Sequence, residues 1–599
     1  MDEYVTTLVG RDQRMLHLIR PPYRTDSICP PINLLTLAGY VEPYYKVTVT
    51  DLVPPYIRNE ISLDSESVQS MAQHLLEDPS PVLGFTAMCS SYAAALRIAE
   101  ECKRQDPTRF ILFGGPHAGF VDQDTLLAFP FVDAIVVGEG EKTILEFLDA
   151  YLNQLPFTNI AGLTYRDNNQ IVKNHKRDVL DDLDELPIPA YHLIDNIEEY
   201  YGAGADRFIE IEAGRGCPFQ CKFCSTSLFF SRRYRVKSPE RLVNEMKWLK
   251  EHWNITGFGL IHDNLTVNKT KIFELCQIFL ESGENFTWYC SSRTDTINRE
   301  MMEKMKESGC KGIFFGVESG SQEMQKNIGK RLKLQNALET FTHLQEVKIN
   351  ATASFIVGFP DETLADFEDT LSMALELKMA GNRDIQLHSL TTLPGTEVLE
   401  QCLDDIIFDT NLLTFLDITS VIDITEVELK WIQEHKKIFS NFYSVPTKHY
   451  PLELVYQARG SYFYLVHYRP KTLYAIKRLV GLQNVQIVAR LVKKLSGDFR
   501  EWLPEQLLQA LEAVVADLPG DVGMFIQDVL NYETVYTSVA DFTDGANGWV
   551  RYKGVDPTQQ CTEEMVKPAK TLAVTYDIMP VLHRIRRSSS NVGYYFLDI

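Results

Sequence analysis

The stretch Glu212-Ala-Gly-Arg-Gly-Cys-Pro-Phe-Gln-Cys-Lys-Phe-Cys224 places Cys217, Cys221 and Cys224 in the spacing C-x3-C-x2-C. Three thiolates on one short loop can bind three irons of a cubane cluster and leave the fourth iron without a protein ligand. The glycines and the proline suit a backbone that must curl tightly around an inorganic core. A zinc site would need a fourth Cys or His at matching spacing, and none follows closely. The spacing therefore predicts a 4Fe-4S cluster, with a zinc knuckle or three unrelated core cysteines as the alternatives.

Around this loop, short apolar stretches that end in polar residues or glycine alternate with helical stretches. These stretches span residues 209–217, which run into the cysteine loop, and 258–264, 286–293, 312–320 and 353–360, and a further one at 385–395 ends the region. Helical patterns cover residues 238–253, 298–308 and 363–378. Strands that alternate with helices at this spacing favour a parallel sheet, and parallel α/β barrels place their chemistry at the carboxyl ends of the strands.

The cysteine spacing and the strand motifs resemble those of the radical S-adenosylmethionine (SAM) superfamily. The motifs occur in the same order as in that superfamily, and the resemblance covers residues 205–400. The resemblance implies a partial (β/α) barrel in which SAM binds the open iron and is cleaved to a 5′-deoxyadenosyl radical. It places Glu318 and Arg293 toward the ribose or the methionyl part of SAM and Gly358 along the adenine. It also assigns Phe223, which precedes the last cysteine, to the cofactor site. For Glu318, a salt bridge at the barrel mouth is the alternative role, and the role of Asp263 stays open.

Residues 1–150 carry the pattern of a doubly wound α/β domain. Apolar runs at 16–19, 46–52, 82–85, 109–113 and 134–137 alternate with helical patterns at 92–104 and 141–152. This alternation predicts a flavodoxin-like or Rossmann-like sheet, whose ligands bind beyond the carboxyl ends of the strands. At those ends stand Met88-Cys-Ser-Ser91, Gly114-Gly-Pro-His-Ala118 and Gly138-Glu-Gly-Glu141. Their glycines would let the backbone approach a ligand closely.

Three turns of this domain resemble the cobalamin-binding domain of the radical SAM enzymes that use cobalamin: Pro21-Pro22, Gly-Gly-x-His-Ala at 114–118 and Gly-Glu-Gly-Glu at 138–141. The resemblance implies a cobalamin site that includes Ser90, Ser91, Gly114, Gly115, His117, Gly138, Glu139 and Gly140. The Asp-x-His-x-x-Gly pattern that supplies an axial histidine elsewhere is missing, because Gly115 stands two residues before His117. We therefore expect the lower axial ligand to be water, absent or an unrecognised side chain, and His117 to be a turn residue hydrogen-bonded to backbone. A Rossmann-like scaffold without a ligand is the alternative for the whole domain.

The remaining regions join and follow these two domains. Residues 151–204 are interpreted as a connector, with a hairpin at 160–172 and an acidic, proline-punctuated extended link at 181–189. Residues 401–599 are predicted to be mostly helical, with helices at 426–443, 473–494 and 505–517. Residues 545–551 and the aromatic tail 593–596 could form a substrate-binding cap over the barrel mouth or could be core and turn residues.

Composition excludes several classes of protein. A length of 599 residues is too great for one core, and a net charge of −22 argues against a nucleic-acid-binding surface, which needs clustered Lys and Arg. Two basic patches are exceptions: residues 232–237, where a cation could meet a substrate or cofactor carboxylate, and 584–587, interpreted as a solvated face. Eleven scattered cysteines indicate a reducing cytosol rather than a disulfide framework. We see no signal peptide and no apolar run of the ~20 residues that span a bilayer, so we expect a cytoplasmic protein without membrane contact.

The two resemblances together imply methylation. Transfer of a methyl group from SAM to reduced cobalt, and its capture from methylcobalamin by a substrate radical, would consume two SAM molecules. The predicted function is methylation of an unactivated or weakly nucleophilic carbon of a natural-product intermediate or a ribosomal peptide, with flavodoxin or ferredoxin as reductant. A cobalamin radical enzyme that catalyses a rearrangement or an oxidative cyclisation is the alternative, and a non-catalytic cobalamin carrier is a third. A tRNA methylthiotransferase is disfavoured, because Cys29, Cys89 and Cys102 lack the spacing of a second cluster.

Overall fold

The structure, a computed structural model, describes residues 14–23, 28–168, 170–201, 207–381, 384–410, 424–496 and 502–536. The segments 545–551, 584–587 and 593–596, for which the sequence suggested roles, lie outside these described residues. The chain forms two compact units. The first contains Met1–Leu265, Gln277–Thr287 and Thr391–Ser444, and the second contains Thr266–Cys276, Trp288–Leu390 and Val445–Ile599.

The first unit begins with a parallel sheet and its covering helices. The strands are β1 (Arg14–Arg20), β2 (Lys46–Asp51), β3 (Val82–Thr86), β4 (Phe110–Gly114), β5 (Ala134–Val136), β6 (Leu163–Asp167) and β7 (Gln170–Lys173). The helices are α1 (Ile32–Val41), α2 (Val53–Ile57), α3 (Ser65–Leu76), α4 (Tyr92–Gln105), α5 (Pro116–Phe120), α6 (Asp122–Ala128) and α7 (Glu141–Leu152). The predicted strands and helices of this region are therefore confirmed, including the hairpin, which is formed by β6 and β7.

The strand order of this sheet is β2-β1-β3-β4-β5-β6-β7, with β1 to β5 parallel and the last two strands antiparallel to their neighbours. The order 2-1-3-4-5 is that of flavodoxin-like sheets, which decides between the two sheet types that the sequence left open. Strands β1 and β3 are buried over almost their whole length, as expected for strands covered by helices on both faces. The order reverses between β1 and β3, and this position predicts a ligand site at their carboxyl ends.

Residues 208–389 alternate strands and helices as predicted. The strands are β8 (Phe208–Glu212), β9 (Gly214–Arg215), β10 (Arg235–Val236), β11 (Gly257–Ile261), β12 (Thr287–Ser292), β13 (Cys310–Glu318), β14 (Asn350–Val357) and β15 (Asp384–Ser389). The helices are α8 (Thr226–Phe229), α9 (Pro239–Trp253), α10 (Lys269–Glu281), α11 (Arg299–Glu307), α12 (Gln322–Asn327), α13 (Leu334–Glu346) and α14 (Leu364–Met379). In the first unit β8 pairs in parallel with β11, and in the second unit β12, β13, β14 and β15 pair in parallel in that order.

The described part of the C-terminal region, residues 401–410, 424–496 and 502–536, is mostly helical, as predicted. Its helices are α15 (Glu397–Cys402), α16 (Glu426–Glu434), α17 (Leu452–Gln457), α18 (Phe463–Tyr468), α19 (Pro470–Ala475), α20 (Asn484–Lys494), α21 (Pro504–Ala516) and α22 (Gly520–Tyr536). None of the described helices combines the length and the apolar composition needed to cross a bilayer.

Two of the predicted C-terminal helices are wrong in extent. The helix predicted at 426–443 ends at Glu434, and a 3-10 turn at Ser440–Phe442 buries the later apolar side chains instead. The i, i+3 spacing of those side chains suits such a turn as well as an α-helix. The helix predicted at 473–494 is interrupted at Gly481, whose φ of +75° places it in the left-handed region.

Within the second unit, Glu368 of α14 joins the C-terminal helices to this helix. Its carboxylate accepts hydrogen bonds from Nδ2 of Asn484 at 2.8 Å and from the N–H of Val485 at 2.9 Å, at the start of α20. Nζ of Lys477 pairs with the same carboxylate at 2.9 Å. Glu368 is 7% exposed, so these three donors replace the water that the carboxylate loses on burial.

We expect Glu368→Ala to lower the free energy of unfolding by about 2–4 kcal/mol, because it leaves the buried N–H of Val485 without its acceptor and removes the carboxylate that neutralises Lys477. Chemical denaturation of the full chain measures the change. Glu323→Ala, which breaks the exposed pair between Glu323 and Lys326, is the matched control and should leave stability almost unchanged. Equal effects of the two substitutions would contradict this account of Glu368.

Candidate functional site

A cavity of about 190 Å³ lies at the carboxyl ends of β1, β3, β4 and β5, the position expected from the strand order. Apolar side chains of these strands and of helices α1 and α7 form much of its wall. Glycines of the two turns predicted to bind cobalamin complete that wall: Gly114, Gly115, Gly138 and Gly140. Four charged side chains line the remaining part: Glu139, Glu141, Glu212 and Arg215.

The glycine turns leave open backbone surface at this cavity. Gly115 and Gly138 have φ values of +98° and +88°, which favour glycine over any other residue. A Cβ built on Gly138 would meet no described atom within 4 Å, and one on Gly114 would have its nearest neighbour at 3.8 Å. The turns can therefore accept the close approach of a flat, bulky ligand, and they fit cobalamin.

The other residues predicted to bind cobalamin lie outside the lining of this cavity. The hydroxyl of Ser91 accepts a hydrogen bond from the N–H of Met88 at 3.2 Å, and Ser90 beside it is half-buried. His117 is buried in α5, where burial lowers its pKa to about 4 against the opposing effect of a hydrogen bond to the backbone of Ile438. Its imidazole is thus neutral and bonded to backbone, as expected, and the part of these three residues in cobalamin binding stays a prediction.

The loop that carries the three cysteines is closed by antiparallel pairing of β9 with β10. Glycine is required at two positions of this closure. A Cβ on Gly214 would lie 2.3 Å from the carbonyl oxygen of Arg235, and one on Gly216 would lie 2.1 Å from that of Arg233. The N–H of Gly216 donates to Oδ2 of Asp263 at 2.8 Å. Asp263, whose role the sequence left open, thus anchors the residue that precedes the first cysteine.

Cys217, Cys221 and Cys224 are half-buried on this loop and form no disulfide. Burial, together with the neighbouring Cys224, Cys221 and Asp263, raises the pKa of Cys217 to about 11 against the lowering effect of a hydrogen bond from the backbone of Phe219, so its thiol keeps its proton until a metal displaces it. Among the described residues, no three His, Cys, Asp or Glu side chains form a group that could hold one metal ion. A cubane cluster, in which each thiolate would bind a different iron, therefore stays the prediction for these three cysteines.

A buried ion-pair network joins the cavity to the cysteine loop. The guanidinium of Arg215 pairs with Oε1 of Glu212 at 2.8 Å, of Glu139 at 3.2 Å and of Glu141 at 2.7 Å. Arg235, the β10 partner of Arg215, also pairs with Glu139, at 2.9 Å. All of these side chains are at least four-fifths buried, so the glutamates of the Gly-Glu-Gly-Glu turn and the strands that close the cysteine loop hold one another in place.

The same network accounts for the basic patch at residues 232–237. Nη1 of Arg235 pairs with Glu139 and donates to the carbonyl oxygen of Leu180. Nζ of Lys237 lies 3.5 Å from Oε2 of Glu245, and both of these side chains are fully buried. Arg233 pairs at the surface with Asp181 at 2.6 Å. The cations of this patch that are buried therefore stabilise the fold instead of offering free charge to a substrate.

In the second unit, Arg293 and Glu318 meet at Lys330. Nη2 of Arg293 donates to the carbonyl oxygen of Lys330 at 2.8 Å, and Nζ of Lys330 pairs with Oε1 of Glu318 at 2.7 Å. Glu318 has a φ of +68°, a strained conformation for a residue with a side chain and one that is common at functional sites. The salt bridge considered as the alternative for Glu318 is present, and contact of either residue with SAM stays a prediction.

Gly358 follows β14 with a φ of +88°, and its N–H donates to Oε2 of Glu362 at 2.7 Å. The hydroxyl of Tyr450 donates to the same oxygen. Oε1 of Glu362 is buried and finds no partner among the described residues. Burial raises the pKa of Glu362 to about 7, partly offset by the bonds from Tyr450 and Gly358. The backbone predicted to lie along adenine is therefore held by a carboxyl group that ionises near neutral pH.

Sequence reasoning missed Arg215, Lys330 and Glu362. Arg215 stands inside the cysteine motif between two glycines, and a charge in so tight a turn was the one available signal. Lys330 lies 12 residues after Glu318, and nothing local indicates their pairing. Glu362 follows Gly358 by four residues, a separation at which a carboxylate can reach the free N–H of a turn.

We expect Glu362→Gln to flatten the pH dependence of stability. Because the folded-state pKa lies above the ordinary value of 4.5, the stability contributed by protonated Glu362 is full below about pH 4.5 and is lost as the pH rises through about 7. Between pH 5 and pH 8 the native chain should therefore lose about 2 kcal/mol more than the Gln variant. Denaturation at both pH values measures this, with Glu323→Gln as an exposed control that keeps the native slope; equal slopes for all three proteins would contradict the assignment.

Two family models match the chain: "B12 binding domain" over residues 24–148 and "Radical SAM superfamily" over residues 211–374. An uncharacterized methyltransferase of Pyrococcus horikoshii is 30% identical over 419 residues, which cover 70% of this chain and 88% of that protein. The anaerobic magnesium-protoporphyrin IX monomethyl ester cyclase of Cereibacter sphaeroides is 26% identical over 405 residues, which cover 66% of this chain and 63% of the cyclase.

Among solved structures, the cobalamin-dependent SAM radical enzyme OxsB with aqua-cobalamin bound matches the fold with a TM-score of 0.59 and 14% identity, over 96% of this chain and 80% of OxsB. The fold class predicted from the sequence is thereby confirmed. The cofactors of this chain are a 4Fe-4S cluster, SAM and cobalamin, as its two matched domains require. The chain belongs to the family of radical SAM enzymes that carry an N-terminal cobalamin-binding domain.

Proposed function

We propose that this enzyme transfers a methyl group from SAM to an unactivated or weakly nucleophilic carbon of a natural-product intermediate or a ribosomal peptide. One observation carries the proposal: Arg215, two residues before Cys217, lines the cavity at the strand ends and pairs with the glutamates of its rim. A single side chain thus joins the site suited to a methyl carrier with the loop suited to a radical source. The likeness to the methyltransferase of Pyrococcus horikoshii supports the same reaction class.

When bound, the cluster with SAM supplies a carbon-centred radical and cobalamin supplies a carrier for the methyl group. The residues of the chain hold and orient these groups. Asp263 fixes the N–H of Gly216, so the backbone is held in place where the cysteine loop begins. At the cavity, Oε2 of Glu141 is buried and finds no partner among the described residues, so it can accept a hydrogen bond from an amide or hydroxyl group of the bound cofactor.

In the second unit, we assign Arg293, Glu318 and Gly358 to SAM. Lys330 holds the carboxylate of Glu318 and is itself held by Arg293 through its carbonyl oxygen, so the two predicted contacts form one rigid group. Glu362 fixes the N–H of Gly358 and so holds the turn that we assign to the adenine. Preorganised groups of this kind reduce the entropy lost when a cofactor is oriented.

A second candidate function is a cobalamin-dependent radical reaction without methylation, such as a rearrangement or an oxidative cyclisation. The observation that favours it is the likeness to the cyclase of Cereibacter sphaeroides. Both candidates use the same residues for the cofactors and differ in the fate of the substrate radical.

Our proposal extends to the organisation and setting of the enzyme. We assign cobalamin binding to residues 1–150, a connector to 151–204, the radical SAM domain to 205–400 and a helical domain that caps the substrate to 401–599. We also propose cytoplasmic operation with flavodoxin or ferredoxin as reductant and without nucleic-acid or membrane partners. None of the ten cysteines of the described residues forms a disulfide, which supports a reducing compartment.

The test is an anaerobic reaction with methyl-labelled SAM, reductant, cobalamin and candidate small molecules or peptides. We expect the label in a carbon–carbon bond of the product, together with both S-adenosylhomocysteine and 5′-deoxyadenosine, because one SAM gives its methyl group and another gives the radical. A transformed substrate that never carries the label would establish the second candidate. S-adenosylhomocysteine without deoxyadenosine would show that methyl transfer is polar.

Two sets of variants distinguish loss of the cluster ligands from a general disturbance of the cysteine loop. Cys217→Ala, Cys221→Ala and Cys224→Ala together should remove iron, visible absorption and deoxyadenosine formation. Gln220→Ala, an exposed position between the cysteines, should keep all three. Retention of about four irons in the triple variant would disprove the ligand assignment.

A further inference from the structure

We propose that Arg215 is a positioning residue that couples the two cofactor sites, so that cobalamin in the cavity and a cluster on the cysteine loop each raise the affinity for the other. The proposal concerns binding alone. It stands whether or not a methyl group reaches the product.

The first support is the way in which Arg215 divides its donors. Its Nε, Nη1 and Nη2 atoms go to three different carboxylates, those of Glu212, Glu139 and Glu141. All three guanidinium nitrogens are thus engaged, and the planar group cannot turn toward one carboxylate without turning away from another. Because Arg215 is 7% exposed, the loss of one carboxylate would leave its charge poorly compensated by solvent. A displacement of any one partner is therefore transmitted to the arginine.

The second support is the short connection from Arg215 to the first thiol. Only Gly216 separates Arg215 from Cys217, and the N–H of Gly216 is bonded to Asp263 at 2.8 Å. The Arg215 backbone is also held in the β9–β10 pair opposite Arg235, whose side chain reaches Glu139 as well. Each of the two strands that close the cysteine loop, β9 and β10, thus carries an arginine that pairs with Glu139 at the rim of the cavity. The loop cannot change its entry angle without disturbing that rim.

The third support lies in the cavity itself. Glu139, Glu141, Glu212 and Arg215 all line it, so a ligand that fills the cavity touches the network directly. Oε2 of Glu141 has no partner among the described residues, although its Oε1 is held by Arg215. A hydrogen bond donated by the ligand to Oε2 would satisfy the second oxygen of Glu141 and hold this carboxylate, and with it Arg215, in one position. Binding in the cavity therefore selects the arrangement of Arg215 that also orders the cysteine loop.

Linkage makes the effect reciprocal. If a cluster on the loop tightens cobalamin binding by some factor, cobalamin must tighten cluster binding by the same factor. Couplings between sites in proteins are typically 5–150-fold, and a directly shared ion-pair network justifies an expectation of about tenfold. Removal of the shared arginine should bring this factor close to one.

The test measures the dissociation constant of hydroxocobalamin by anaerobic equilibrium dialysis of the full-length protein. The constant is determined with the cluster reconstituted and in the Cys217→Ala/Cys221→Ala/Cys224→Ala background without it. In the native sequence the cluster should lower the constant about tenfold. With Arg215→Gln in both backgrounds, the ratio should fall to about one. Arg233→Gln, which breaks an exposed ion pair of the same loop, is the matched control and should keep the native ratio.

Two further variants guard against a misfolded Arg215→Gln protein. Glu141→Gln keeps the shape of the side chain and weakens one of the three pairs, so it should reduce the ratio without abolishing binding of either cofactor. Arg215→Lys keeps the charge but cannot reach three carboxylates at once, and it should not restore the coupling. A ratio of one in the native sequence, or a native ratio in Arg215→Gln, would overturn the proposal.

Discussion

The guanidinium of Arg215, buried among three carboxylates, is the interaction on which the arrangement of the first unit depends. A buried charge without partners costs several kcal/mol, so the arginine can occupy this place only if Glu139, Glu141 and Glu212 are brought to it together. Those glutamates come from the turn after β5, the start of α7 and the end of β8. One requirement of charge neutralisation therefore assembles a flavodoxin-like sheet, the first barrel strand and the cysteine loop around a single cavity.

The backbone conformation of two glycines brings the charged side chains around Arg215 into position. Gly138 takes a left-handed conformation that turns the chain from β5 into the two glutamates, and Gly216 does the same between the arginine and the first cysteine. In the second unit, buried carboxyl groups at the carboxyl ends of the strands are also held by fixed partners. Glu318 and Glu362 are buried carboxyl groups, the first held by a lysine and the second by a backbone N–H and a phenol. At each site a fixed polar group, rather than a flexible surface side chain, meets the region where a cofactor is expected.

The sequence predicted the elements of this fold well where a local pattern encodes them. Apolar runs with helices between them predicted strands β1 to β5 of the flavodoxin-like sheet, and a hairpin pattern predicted β6 and β7. The spacing of Cys217, Cys221 and Cys224 predicted a 4Fe-4S cluster, the cofactor that the radical SAM match requires, and the binding of the cluster by these three thiols stays a prediction. The strand order of the sheet could not be read from the chain, because order depends on which strands pair across distant residues. Gly481 interrupts a periodic helical pattern through a conformation that periodicity alone does not reveal. The pairing of Lys330 with Glu318 and that of Arg215 with Glu139 were missed for one reason: residues distant along the chain become neighbours only after folding.

The central claim is that the cavity at the strand ends and the cysteine loop are the cobalamin and cluster sites of one compact unit. Anomalous diffraction from crystals of the full chain loaded with both cofactors, with data on each side of the cobalt and iron absorption edges, tests it most directly. We predict a cobalt peak beside the turns of Gly114 and Gly138, with no nitrogen of His117 as its ligand, and iron peaks at Cys217, Cys221 and Cys224. A cobalt peak away from this cavity, or iron bound by other residues, would contradict the account.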